Sequence, residues 1–198
     1  MFRRSLIVAA ALVAALFVVP AALAARVHVR VEGQTRTIFG PTAPSVDAAN
    51  ALEALDAASL AGEFYFHVTA TSFGPYVDQI GRYPAAASSG WVFKVDGVSP
   101  PVGADKVTLK DGDTVLWYWA TFGPSGGPPT LELKRNGRCY SVFAQDDNGK
   151  TTTAAGAVLH VGSRRTVATR GGRACIGPHF GLLVRATMNG AVRSNALP

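Results

Sequence analysis

The sequence predicts an α+β domain of β-grasp-like type, one helix laid on a mixed sheet, followed by a small all-β sandwich. Three observations carry this expectation. Residues 90–120 alternate apolar runs with turn signals, which reads as a β-meander. Only one confident helical period occurs past the leader, over 46–59. Everything after a Pro/Gly-rich stretch at 123–130 is short apolar segments punctuated by Asn-Gly and Gly-Gly pairs.

Taken in order, residues 26–32 alternate strictly, with Val27, Val29 and Val31 on the buried face of a strand. Gly33-Gln34 turns the chain into a second strand at 35–39. Ser45 has the chemistry of a helix N-cap, and Asp47 suits the positive end of the dipole. Ala48, Ala51, Leu52, Leu55 and Ala58 then share one stripe, small enough for close packing on a sheet. Gly62 can end the helix in the left-handed conformation. A strand follows at 63–70, then a turn at 71–76, a short apolar segment at 77–80 and a small-residue loop to Gly90. His28 and His67 sit on polar strand faces with no partner at ligand or triad spacing.

In the meander, 91–95, 106–109 and 114–120 are expected strands. The last has Val115, Trp117 and Trp119 on one face and Leu116, Tyr118 and Ala120 on the other. A strand apolar on both faces is either covered on both sides or offers an aromatic face to a ligand. The second half reads as seven short strands, at 131–134, 138–144, 156–161, 166–169, 173–176, 182–187 and 191–197, hence a sandwich.

The 198 residues fit one or two domains. Arg3 and Arg4, an apolar run over 6–19, Pro20 and Ala22-Leu23-Ala24 have the pattern of a signal peptide over 1–25, cleaved near Ala24 or Ala25. A retained anchor is the alternative, because the apolar stretch nears spanning length. The expected division is then 26–122, a linker at 123–130, and 131–198, with few contacts crossing the linker. Cys139 and Cys175, an even pair in an exported chain, predict one disulfide.

Without Arg3 and Arg4 the chain has 17 Lys/Arg against 13 Asp/Glu. The asymmetry is sharp: 7 against 10 over 25–124, but 10 against 3 over 130–198. The basic half has no nucleic-acid motif, so weak contact with anionic envelope polymers is the expectation. Gly123-Pro124-Ser125-Gly126-Gly127 matches G-x-S-x-G, but Pro128 and Pro129 forbid the helix a nucleophile elbow needs. No paired carboxylates, triad or metal spacing is visible, which points to a non-enzymatic protein. His160 and His179 have no partners nearby in sequence.

Two stretches carry a family resemblance. Ser72-Phe73-Gly74-Pro75-Tyr76-Val77, running to Ile80-Gly81, resembles a segment of the C-terminal β-domain of transcobalamin and intrinsic factor. Trp91-x-Phe93, Gly103-Ala104-Asp105 and Leu109-x-Asp111-Gly112-Asp113 resemble the later part of that domain. The likeness to bacterial transcobalamin-like C-terminal domains runs from about Val27 to Ala120. It implies a secreted or cell-surface binding protein that meets a small molecule, possible cobalamin included, or a partner surface through this domain. The ligand residues it implies are Phe73, Gly74, Pro75, Tyr76 and Trp91, with Trp117 and Trp119 beside them. The same residues also fit a hydrophobic core and a tight turn, as in a purely structural or adhesive envelope protein. In the second half, Asp147-Asn148-Gly149, Gly156-Ala157-x-Leu159-x-Val161, Thr169-Arg170-Gly171-Gly172 and Val184-Arg185-Ala186-Thr187-x-x-Gly190 resemble carboxypeptidase-regulatory or prealbumin-like modules. Related adhesin modules form Lys–Asn isopeptide bonds, for which Lys134 and Asn195 are the nominees.

Overall fold

The computed structural model describes residues 24–124, 126–163 and 165–198. The leader expectation over 1–23 and Ser125 of the G-x-S-x-G match lie outside them. The fold is an α+β unit with one helix on a mixed sheet, followed by antiparallel sheets that form a small sandwich.

Strand β1 (Ala25–Glu32) is an inner strand of the first sheet. Val27, Val29 and Val31 are fully buried, as their alternation predicts. One edge of β1 is shared by β2 (Thr37–Phe39) and β3 (Ser45–Ala48), both antiparallel to it. Its other edge pairs in parallel with β8 (Thr114–Thr121), and β7 (Ser89–Val95) closes the sheet against β8. A parallel pair needs a long crossover, and here the crossover carries the helix, α1 (Ala51–Gly62).

The helix begins later than Ser45 suggests. Residues 45–48 are drawn into β3 by the open edge of β1, and the N-cap is Asn50. Asn50 Oδ1 accepts from the Glu53 amide, while the Glu53 carboxylate accepts from the Ala49 amide, a capping-box arrangement. The left-handed residue at the other end is Glu63, not Gly62. Gly62 is the last residue of the helix, and a side chain does not fit there, because its Cβ would lie 2.5 Å from the Phe39 ring.

The meander loses its middle strand. Residues 106–109 form only an isolated bridge from Thr108 to Asn50, and Leu109 tucks under the start of α1 by donating its amide to Ala49. A strand that reads only as a short apolar segment is longer than expected: β5 (Gly74–Ile80) pairs with β4 (Phe66–Thr71), and β6 (Tyr83–Pro84) adds to it.

In the second half, β9 (Thr130–Asn136), β10 (Cys139–Gln145), β11 (Thr151–Thr153) and β14 (Arg173–Cys175) form one sheet. The other contains β12 (Val158–Val161), β13 (Arg165–Ala168), β15 (Val184–Thr187) and β16 (Ala196–Leu197). Leu131, Leu133, Tyr140, Val142, Leu159, Val161 and Val184 fill the space between them. The predicted strand at 191–197 shrinks to two residues, because Ser194 turns inward and its hydroxyl accepts from the Ala186 amide. The isopeptide nominees do not meet. Asn195 uses its amide on both backbone groups of Leu133, and Lys134 reaches Glu132 at 3.3 Å. Among the described residues no helix is long and apolar enough to cross a membrane.

The two halves are joined by more than their linker, contrary to the expectation that few contacts would cross. The second face of β8, Leu116, Tyr118 and Ala120, is buried and shares a cluster with Val192. Lys94 of β7 has no exposed surface and donates to the Asp146 carbonyl at 2.7 Å, and to the Gln145 carbonyl and the Thr130 hydroxyl at 3.3 Å. Glu32 is equally buried. Its carboxylate is held by Arg30 at 3.1 Å, by Arg193 at 2.9 Å and by the Thr37 hydroxyl.

Two outcomes are expected. Glu32→Ala leaves Arg30 and Arg193 without their carboxylate, so urea denaturation should show a loss of about 3–5 kcal/mol. Cys139 and Cys175 are bonded and sit opposite one another on β10 and β14, 36 residues apart in sequence. Replacing both by Ser should remove about 3–4 kcal/mol, the closure entropy of such a loop. An unchanged denaturation midpoint would mean that strand pairing alone fixes β14.

Candidate functional site

The β4–β5 hairpin, the β7–β8 pair and a turn from the second half converge on a cavity of about 330 Å³. Each element delivers its side chains for a local reason. Pro75 and Tyr76 begin β5, where Gly74 at φ 113° takes a conformation that other residues resist. Tyr76 lies across Gly90 of β7, whose missing side chain makes room: a Cβ there would stand 2.5 Å from the Tyr76 hydroxyl. Trp91 and Phe93 come from β7, Trp117 and Tyr118 from β8, and Phe122 from just beyond it. Residues 99–104 supply Ser99, Pro100 and Ala104, and the turn between β10 and β11 supplies Asp147.

The indoles form walls rather than free surfaces. Trp91 and Trp117 are each 2% exposed. Their N–H groups are already satisfied, Trp91 donating to the Tyr83 carbonyl at 2.8 Å and Trp117 to the Ala51 carbonyl at 3.1 Å. Phe93 stacks on Trp117 with ring centroids 5.0 Å apart. At the mouth, Tyr76 is 41% and Phe122 42% exposed. Burial pushes the Tyr76 phenol above its ordinary value, with the nearby Asp78 charge adding to the effect.

One end is polar. Asp147 Oδ1 lies 3.3 Å from the Ser99 hydroxyl and 3.5 Å from both the Tyr118 hydroxyl and Lys94 Nζ. Burial, reinforced by the Asp147 charge, pushes the Tyr118 phenol far upward, so it stays a protonated donor. Burial also pulls the Lys94 ammonium below its ordinary value, against the opposing pull of Asp147.

Of the candidate ligand residues, Pro75, Tyr76, Trp91 and Trp117 meet in this cavity. Phe73 stands 97% exposed at the hairpin tip, and Gly74 beside it does not line the cavity. Trp119 is turned toward Tyr83 and Trp91 and borders a different hollow, with Gly33 and Arg193. Sequence reasoning missed Phe93, Ser99, Tyr118, Phe122 and Asp147 as lining residues. Phe93 was visible as the partner of Trp91 in Trp-x-Phe. Asp147 was hidden in an Asn-Gly turn.

The histidines have partners that spacing alone concealed. His67 Nδ1 meets Asp78 Oδ1 at 2.7 Å across the β4–β5 hairpin, and Thr69 donates to the other oxygen at 2.6 Å. Thr69 thus bonds the carboxylate rather than the imidazole, so no relay runs from His67 to a hydroxyl. His160 reaches Thr187, and His179 reaches Tyr140. Among the described residues no group of three or more His, Cys, Asp or Glu side chains is placed to hold a metal.

A family model described as a domain of unknown function, DUF4430, matches residues 48–121, so that domain is present there. The match takes in α1, β4 to β8 and every cavity residue named above except Phe122 and Asp147. No curated protein matches the chain.

The hydrogen bonds from Thr69 and then His67 hold the Asp78 carboxyl below its ordinary value of 3.8. A depressed carboxylate contributes stability that is present above the unfolded value and lost as pH falls through the lower folded one. Acid titration should therefore show Asp78→Asn narrowing its stability gap to the unaltered protein as pH drops below 3.8. A gap that stays constant would show that Asp78 acts only through neutral hydrogen bonds.

Proposed function

We propose that this is an exported, non-enzymatic binding protein whose aromatic cavity takes a small, flat, largely apolar ligand. The observation that carries the reading is the cavity itself: solvent-open, walled by Trp91, Phe93 and Trp117, and rimmed by exposed Tyr76 and Phe122. Aromatic walls offer large contact area at little rotamer cost, and a small number of polar groups at one end can fix orientation. The resemblance to transcobalamin-like domains supports the same face, because three of its implied residues, Pro75, Tyr76 and Trp91, gather there. Export is supported by the leader pattern and by the disulfide. Cleavage after Ala24 fits best, since Ala25 is buried in β1 and pairs with Ala48.

A corrinoid ring is far wider than a cavity of about 330 Å³. The cobalamin version of the reading therefore reduces to one edge or substituent entering beside Tyr76, with the rest in solvent. Such binding is expected to be no tighter than about micromolar. The alternative, a structural or adhesive envelope protein, is favoured by the near-complete burial of Trp91 and Trp117, which serve the core whether or not a ligand comes. For the basic second half we retain the expectation of weak contact with anionic envelope polymers.

Mass spectrometry of small molecules carried through purification tests the reading. An aromatic or amphipathic compound should accompany the unaltered protein and be lost from Tyr76→Ala, whose melting temperature should stay nearly the same because Tyr76 is a rim residue. All three tryptophans, at 91, 117 and 119, lie in the first half, so a hydroxocobalamin titration followed by their fluorescence separates out the corrinoid version. Unfolding of Tyr76→Ala, or no compound in either protein, would favour the structural alternative.

A further inference from the structure

The acidic group at the cavity's polar end, Asp147, lies outside the matched family span. Asp147 is the one acidic side chain lining the cavity, and its side chain remains 46% exposed. Its neighbour Asp146 is differently placed. Asp146 Oδ1 accepts from the Asn148 and Lys150 amides, both at 2.9 Å, and so closes its own turn. The side-chain contacts of Asp147 are long, at 3.3–3.5 Å, and fall on Oδ1. Lys94 Nζ pairs with Asp147 Oδ1 at 3.5 Å, but Lys94 is not among the residues that line the cavity. Its ammonium is fully buried behind the lining and points its shorter hydrogen bonds at the Asp146 and Gln145 carbonyls and the Thr130 hydroxyl. The Asp147 backbone carbonyl also accepts from the Ser99 amide at 2.8 Å, which fixes the turn against the first half.

On the reading that the cavity binds a small molecule, we infer that the second half completes the site. Asp147 selects ligands whose apolar body ends in a hydrogen-bond donor, an ammonium foremost, and disfavours those that end in a carboxylate. Oδ2 supplies the acceptor. The aromatic walls hold the body, and a ligand anion would face the carboxylate at short range in a site partly shielded from water.

The test uses the full-length mature protein and three probes with one body: 4-phenylbutylamine, 4-phenyl-1-butanol and 4-phenylbutyrate, followed by tryptophan fluorescence. The amine should bind about tenfold more tightly than the alcohol, the size of one charge-assisted hydrogen bond, and the carboxylate should bind weakest. Asp147→Asn, with its melting temperature checked, should bring the amine to about the affinity of the alcohol. Tyr118→Phe should keep the amine preference. Because the order of probes is read first on the unaltered protein, the inference stands or falls even if a variant fails to fold. Equal affinity for all three, or a preference for the carboxylate, overturns the role of Asp147 but leaves the cavity as a binding site. No response to any probe overturns both.

Discussion

Glu32 sits on the sheet's inner strand with no exposed surface, and the rest of the molecule has to accommodate its charge. A carboxylate taken out of water is tolerable only when its lone pairs and charge are met. Thr37 meets it from β2, Arg30 from the same strand and Arg193 from near the end of the chain. Arg193 also donates to the carbonyls of Gly33 and Gln34, and Arg30 donates to the Arg193 carbonyl at 2.7 Å. The last segment of the sandwich is thereby fastened to the first turn of the sheet. Replacing such a cluster with apolar residues often does not destabilise a protein, so its value here lies in fixing one arrangement of the two halves. The apolar contact between Leu116, Tyr118, Ala120 and Val192 is non-directional, whereas the hydrogen-bonded ion cluster is directional.

That arrangement answers the question posed by the strand at 114–121. Both of its faces are apolar because both are covered. Val115 and Trp117 pack toward the helix, and Leu116, Tyr118 and Ala120 toward the second half. The sequence showed that the strand had two apolar faces but not what covered the second one, since the covering residue, Val192, lies some way along the chain in a segment that reads as a strand. The same limit explains the other departures. Ser45 has the local chemistry of an N-cap, and Asn50 with Glu53 has it too. What decides between them is the free edge of β1, a long-range pairing with no local sign. Residues 106–109 have strand-like composition, but β7 pairs directly with β8, and Thr108 and Leu109 bond to Asn50 and Ala49 at the start of the helix instead.

The site was legible to the same extent. Pro75, Tyr76, Trp91 and Trp117 stand out as aromatic or turn residues in ordered motifs, and they do gather. Phe73 stands out equally and projects into solvent, because it occupies the tip rather than the stem of its hairpin. Asp147 and Ser99 are 48 residues apart and meet only because the halves pack, so no reading of either half alone would have joined them.

The cavity follows from how the edge of the sheet is protected. β7 is an edge strand, and edges left open invite pairing with other chains. Here the edge is flanked by the β4–β5 hairpin on one side, and by residues 98–104 with the β10–β11 turn on the other. These covers come from separate parts of the chain and do not close completely, and the remaining gap is the hollow beside Trp91 and Phe93. Its chemistry is then set by what the walls have already done with their polar atoms. Both buried indole N–H groups are bonded to backbone carbonyls, so the rings present carbon to the gap. Lys94 has turned its donors toward the second half's backbone. Among the described residues Asp147 is the acidic side chain that lines the gap, and it stands at the seam between the two halves.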